Sequence, residues 1–366
     1  VSATRDTADF DVERFAIARK RRGLKGKELA RRAGVSEVTV SRIAKMRNGP
    51  KLETIEALAR ALEYPLDFFF RDRIETLDVD EVSFRSMSGM RAREREAAIA
   101  AGSIGLLLSE WVEARFDLPP ADIPDLRNED PEQAAVTLRC AWKLGEKPVT
   151  RTLKLLESRG VRTFSLSEQT RRVDAFSFWR GERPFMFLNM MKTAEHSVFD
   201  GAHELGHLVL HRHRSLADTL TDLEQEANTF AAAFLMPRRD VLANLPRRID
   251  AHAIIRAKAR WGVSAMALAR RCYTLERLTE WQYRTACIEL SRMGYRSGEP
   301  RGIARESSVV WNKVFKALWA ERMTKEDVAR ELAVPLDEVE SLVFGLLKPL
   351  NEVARPSSGA SGLSVV

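Results

Sequence analysis

In the stretch ELARRAGVSEVTVSRIAKM, apolar residues stand at Leu29, Ala33, Val35, Val40 and Ile43. Their spacing predicts two short helices, each with one buried face. The first should end at Ala33 and the second should run from about Glu37 to Lys45. Gly34 falls in the break, where a tight interhelical turn needs left-handed backbone. Ser36 is placed to cap the second helix, and Ala30 sits where two helices must touch closely. Further helices over 11–22 and 52–62 would complete a small all-helical unit.

A mixed, polar stretch over 73–90 reads as a linker. A helix is expected over 92–116, closed by Pro119 and Pro120. Asp130 as cap and Pro131 at the first helical position open another, running to about Lys143. A third over 149–159 ends at Gly160. The pattern then alternates or runs apolar at strand length in VRTFSL (161–166), AFSFW (175–179) and FMFLN (185–189). RGERP joins the last two as a hairpin with Gly181 at its turn. From Ser197 the chain reads as helical again, with Ala227, Phe230, Ala231, Phe234 and Leu235 forming a core stripe. The expected class is therefore α+β, predominantly helical, with a small antiparallel sheet. Near the end, DVARELAVPLDEVESLVFG (327–345) repeats the N-terminal spacing at Val328, Leu332, Val334, Val339 and Leu342. Its second helix carries Asp337, Glu338 and Glu340, which repel phosphates, so a packing or protein-contact element is expected there. The polar tail ARPSSGASGLSVV reads as disordered.

Composition excludes several classes. A chain of 366 residues with 45% hydrophobic and 30% charged residues fits two or three globular domains. No apolar run reaches the ~20 residues that span a bilayer, and no apolar segment near the start predicts a secretory leader. Cys140, Cys272 and Cys287 form no CxxC pair, which predicts reduced thiols in a cytoplasmic protein. The net charge is +7, and residues 1–73 hold 17 Lys+Arg against 11 Asp+Glu, a net of +6. The excess thus sits on the N-terminal unit, and nucleic acid is its expected partner.

The chemistry concentrates in HELGH, residues 203–207. On a helix His203 and His207 project from one face and can share a zinc ion, with Glu204 beside it as a proton-transfer group. His211 lies about 12 Å along the axis from His203 and cannot join both on one ion. His213 has the metzincin spacing, but Leu210 stands where that arrangement needs a glycine. On the next helix, Glu224 and Asn228 share one face. Glu224 would complete a His₂Glu site with an open position for water, and Asn228 would orient a ligand histidine. Glu226 and His213 remain as alternatives for the third ligand. Tyr283, Tyr295 and His252 are candidate second donors to an oxyanion.

Two resemblances sharpen this reading. Residues 10–72 resemble the phage-repressor (Xre-type) helix-turn-helix. That resemblance implies a second helix entering the DNA major groove, with Ser36, Glu37, Val38 and Arg42 facing base edges and Lys45, Arg47 and Lys51 meeting phosphates. It also implies a homodimer on double-stranded DNA, the chain's own operator among its targets. The motifs DAFSFWRGERPFMFLN, FDGAHELGHLVLH and EQEANTFAAAFLMP resemble the ImmA/IrrE family of zinc-metallopeptidase-like proteins. That likeness implies a gluzincin-like fold, zinc held by His203, His207 and Glu224, and Glu204 as catalytic base. The expected domains are 1–73 (helix-turn-helix), 74–127 (linker and helical connection), 128–295 (zinc domain), 296–352 (C-terminal helical region) and 353–366 (tail). The expected function is a DNA-binding regulator that cleaves a repressor or partner protein in a stress- or toxin-linked response. The alternative is a non-proteolytic regulator or antitoxin whose zinc domain senses a ligand, dimerises or binds a toxin.

Overall fold

In the computed structural model, which describes residues 7–45, 50–77, 82, 91–166, 175–212 and 220–348, the Asp11 carboxylate accepts from the Glu13 and Arg14 amides and starts the first helix. The N-terminal unit contains α1 (Val12–Arg21), α2 (Gly26–Ala33), α3 (Glu37–Ala44) and α4 (Leu52–Leu62). Gly34 ends α2 at φ 66, and Ser36 caps α3 by accepting from the Thr39 amide. Phe15, Leu29, Val40, Ile43, Ile55 and Leu58 are buried between these helices.

The stretch after this unit is partly anchored. Ile74, Leu77 and Val82 are buried, and the Leu77 amide donates to Ser103 Oγ. The rest of 78–90 lies outside the described residues. The long helix α5 (Ala92–Glu113) follows, then α6 (Pro131–Ala141), which is capped by Asp130, and α7 (Thr152–Ser158).

Three strands come next: β1 (Arg162–Ser165), β2 (Ala175–Arg180) and β3 (Arg183–Leu188). Their order is β1-β3-β2, so β2 is an edge strand. The small sheet, expected to be antiparallel, is mixed. β2 and β3 form the antiparallel hairpin, but β1 pairs parallel to β3. β1 pairs on the far side of β3 from β2, along an edge whose strand direction the hairpin does not dictate. Phe164, Phe176, Phe178, Phe185 and Phe187 stack across the sheet and are buried.

Against the sheet lies α8 (Ala194–Leu210), and α9 (Leu220–Leu235) packs on α8. The body continues through α10 (Arg238–Asn244), α11 (Ala251–Ala257), α12 (Ala265–Thr274) and α13 (Glu280–Arg292). It ends in α14 (Val309–Ala320), α15 (Lys325–Leu332) and α16 (Leu336–Val343). Ala333 takes the left-handed turn between α15 and α16 at φ 56, as Gly34 does in the N-terminal unit. The acidic face of α16 meets protein: Glu338 contacts Arg21 and Tyr64, and Asp337 contacts Arg22. Glu340 lies 3.8 Å from Lys325. The tail over 353–366 lies outside the described residues.

Candidate metal centre and nucleic-acid face

The site is built on α8. Thr193 caps it by accepting from the His196 amide. Glu195 in its first turn is fixed by Lys258 Nζ at 2.9 Å and by the Ile303 amide at 2.9 Å. Trp179 on β2 donates to the Leu208 carbonyl near the other end. The helix is thus held along its length, and His203 and His207 stand one turn apart with their Nε2 atoms 3.1 Å from each other.

The third donor arrives from α9 because Gly206 lets the two helices approach. A Cβ at that position would lie 3.1 Å from the Phe230 ring and 3.2 Å from the Ala227 Cα. At this separation Glu224 Oε2 stands 3.3 Å from His203 Nε2, and Oε1 stands 3.2 Å from His207 Nε2. Burial raises the Glu224 carboxyl, but hydrogen bonds from His203 and His207 outweigh it and bring the pKa down to about 2. Burial also opposes a charged His203, yet its bond to Glu224 and the nearby Glu204 charge raise it above its ordinary value.

The donor set fits a metal ion. His203, Glu204 and His207 hold ligand atoms within 4.8 Å of one another. A tetrahedral zinc ion with bonds of about 2.0–2.1 Å places its ligand atoms roughly 3.3–3.4 Å apart. The contacts of Glu224 with both histidines have that spacing. With hydrogen absent from both Nε2 atoms, as a metal requires, these three groups become electron-pair donors turned toward one point that a cation can occupy.

The surroundings orient these donors. Asn228 Oδ1 lies 3.1 Å from His203 Nδ1. His211 does not reach the centre; its Nδ1 lies 2.9 Å from His207 Nδ1, and its Nε2 lies 2.9 Å from Glu226 Oε2. Glu226 is therefore engaged outside the donor set. α8 runs unbroken through Leu210, and His213 lies outside the described residues. Glu204 is buried, and Ser177 Oγ on β2 donates to its Oε2 at 2.7 Å. Tyr283 stacks on Tyr273, Tyr295 is buried in the core, and His252 is exposed near Asp250.

Residues 156–273 match the family model of the IrrE N-terminal-like domain. Residues 16–69 match the helix-turn-helix model. The chain joins these two domains. No curated protein matched it. The IrrE-like match contains the two histidines, Glu204 and Glu224, and the helix-turn-helix match contains α2 and α3.

The helix-turn-helix domain is tied to the body through α1 and the end of α4, which leaves the outer face of α3 open. Glu37, Val38, Ser41, Arg42 and Lys45 line one shallow hollow there, and Val38 is 58% exposed. The Ser36 hydroxyl is engaged in the cap and bonded to Thr39 Oγ1 at 2.8 Å. Lys51 is exposed at the start of α4, and Arg47 lies outside the described residues. This surface is that of a DNA-binding domain.

Several of these features lie outside the expectations drawn from the sequence. Ser41 was legible, since it lies three and four residues from Val38 and Glu37 on the same face. Gly206 was legible as the small residue of HELGH. Ser177 was not, because nothing in AFSFW marks which strand residue faces Glu204. The bridge from His207 through His211 to Glu226 depends on the spacing of two helices. No described helix is long and apolar enough to cross a membrane.

Proposed function

We propose that the chain is a cytoplasmic, dimeric DNA-binding regulator whose IrrE-like domain is a zinc-dependent endopeptidase. It would cut a repressor or other partner protein in a stress- or toxin-linked response. The observation carrying this reading is the convergence of His203 Nε2, His207 Nε2 and the Glu224 carboxylate beside Glu204. A purely structural metal site has no use for that fourth group.

In this reading His203, His207 and Glu224 hold zinc, and Asn228 orients His203. Bound zinc supplies a Lewis acid and a water acidic enough to react near neutral pH. Glu204, steadied by Ser177, takes a proton at its carboxylate from the attacking water and passes it to the leaving amine. The edge strand β2 offers backbone pairing to an extended peptide next to α8. On the other domain, Ser36, Glu37, Val38 and Arg42 face base edges in the operator, and Lys45, Arg47 and Lys51 meet phosphates.

One observation favours a second reading. Glu204 is only 1% exposed and is held by Ser177, as it would be in a domain that binds a ligand or a toxin without cutting it. Replacing Glu204 by Gln separates the two. The peptidase reading expects one partner protein to accumulate in cells carrying Glu204→Gln, with metal content unchanged. Regulation that survives Glu204→Gln and fails only in His203→Ala belongs to the sensing domain.

A further inference from the structure

His211 and Glu226 stand outside the donor set, yet they complete an unbroken line of contacts into it. The two imidazoles on α8 face each other through Nδ1 atoms 2.9 Å apart, and the far nitrogen of His211 lies 2.9 Å from Glu226 Oε2 on α9. The side chains of His207 and His211 are 8% and 7% exposed, so water competes little for the bond between them, while the Glu226 carboxylate at the outer end is 32% exposed. We infer that His211 and Glu226 form an ordered relay that fixes the tautomer of His207 and strengthens metal binding at its Nε2. This rests on the metal-site reading above.

The order follows from donor and acceptor chemistry. An ionised carboxylate only accepts, so the proton between His211 and Glu226 belongs to His211 Nε2. A neutral His211 then has a bare Nδ1, which also only accepts. His207 must therefore donate from its own Nδ1. With both rings neutral, as metal binding requires of a ligand histidine, this is the one arrangement that satisfies both short contacts. It leaves the His207 Nε2 lone pair directed at His203 and Glu224. The carboxylate charge of Glu226, passed through two polarised rings, makes that lone pair a stronger donor. His203 Nδ1 faces the neutral Asn228 oxygen instead, at 3.1 Å, so the two histidines are supported differently. His211 and Glu226 are positioning residues in this scheme and touch neither the metal position nor a substrate.

The test uses the full chain with zinc as the probe, competed against a chelator, in wild type and in Glu226→Gln, His211→Phe and Glu224→Gln. Loss of such outer partners typically lowers metal affinity about 10- to 100-fold, and that drop is expected for Glu226→Gln and His211→Phe. The second readout is the ¹⁵N-histidine spectrum of the zinc-loaded wild-type chain. It should show hydrogen on His207 Nδ1 and His211 Nε2, with His211 Nδ1 bare. A hydrogen on His211 Nδ1 overturns the relay, whether or not the variants fold. If Glu224→Gln loses zinc while Glu226→Gln and His211→Phe bind within twofold of wild type, the relay fails and the metal site stands. If the wild-type chain takes up no zinc, the site reading fails and the relay with it.

Discussion

Arg21 and Glu338, 317 positions apart in the chain, meet in a buried ion pair with Arg21 Nη2 2.6 Å from Glu338 Oε2. Tyr64 donates to the other carboxylate oxygen at 2.7 Å, and Arg22 pairs with the adjacent Asp337. Through these bonds the acidic face of α16 holds the helix-turn-helix domain against the body.

Removing one partner of a buried pair leaves the other charged and dry, at a cost of about 3–5 kcal/mol. Glu338→Ala should therefore loosen the docked helix-turn-helix domain. Hydrogen exchange should quicken in α1 and α4 while α8 and α9 keep their protection. Unchanged exchange in α1 would show that the pair does not hold the domain.

The same junction predicts a pH response. Burial pushes the Tyr64 hydroxyl well above its ordinary pKa of 10, and the Glu338 charge pushes in the same direction. A raised folded pKa means that this stability is fully present below pH 10 and is lost as the pH climbs toward the folded value. Unfolding measured from pH 9 upward should show wild type losing stability more steeply than Tyr64→Phe, which lacks the titrating group. Parallel slopes would contradict the assignment.

On the DNA face, Arg42 and Lys45 should fail differently. Arg42→Ala should cost about 1–3 kcal/mol on the operator and relax its sequence preference, as loss of a base contact does. Lys45→Ala should weaken all sequences alike and lower the salt slope by about one. Binding titrations at several salt concentrations distinguish the two.

Ser177→Ala removes the hydroxyl that donates to buried Glu204 at 2.7 Å. A buried carboxylate that loses a partner costs about 1–3 kcal/mol. In a cleavage assay kcat should fall with little change in KM, and metal content should stay at the wild-type level. A variant that lost metal instead would place Ser177 in the support of the donor set.

The helices were legible because their ends carry chemistry. Gly34, Ser36, Asp130 and Pro131 mark boundaries that α2, α3 and α6 respect. The expectation for Glu224 rested on the face it shares with Asn228 on a helix whose apolar stripe had to pack inward, and its carboxylate lies beside both histidines. The direction of β1 was not, since alternation fixes which face is buried and says nothing of which neighbour a strand chooses. Nor could the pattern show Glu338 meeting Arg21. The acidic face of α16 announced that it would avoid DNA, but its cationic partners lie at the other end of the chain.

A metal ion held by His203, His207 and Glu224 is tested most directly by metal analysis of the purified full chain. About one zinc per wild-type chain is expected, little in His203→Ala or Glu224→Ala, and wild-type content in Glu204→Gln. Equal zinc content in wild type and Glu224→Ala would contradict it.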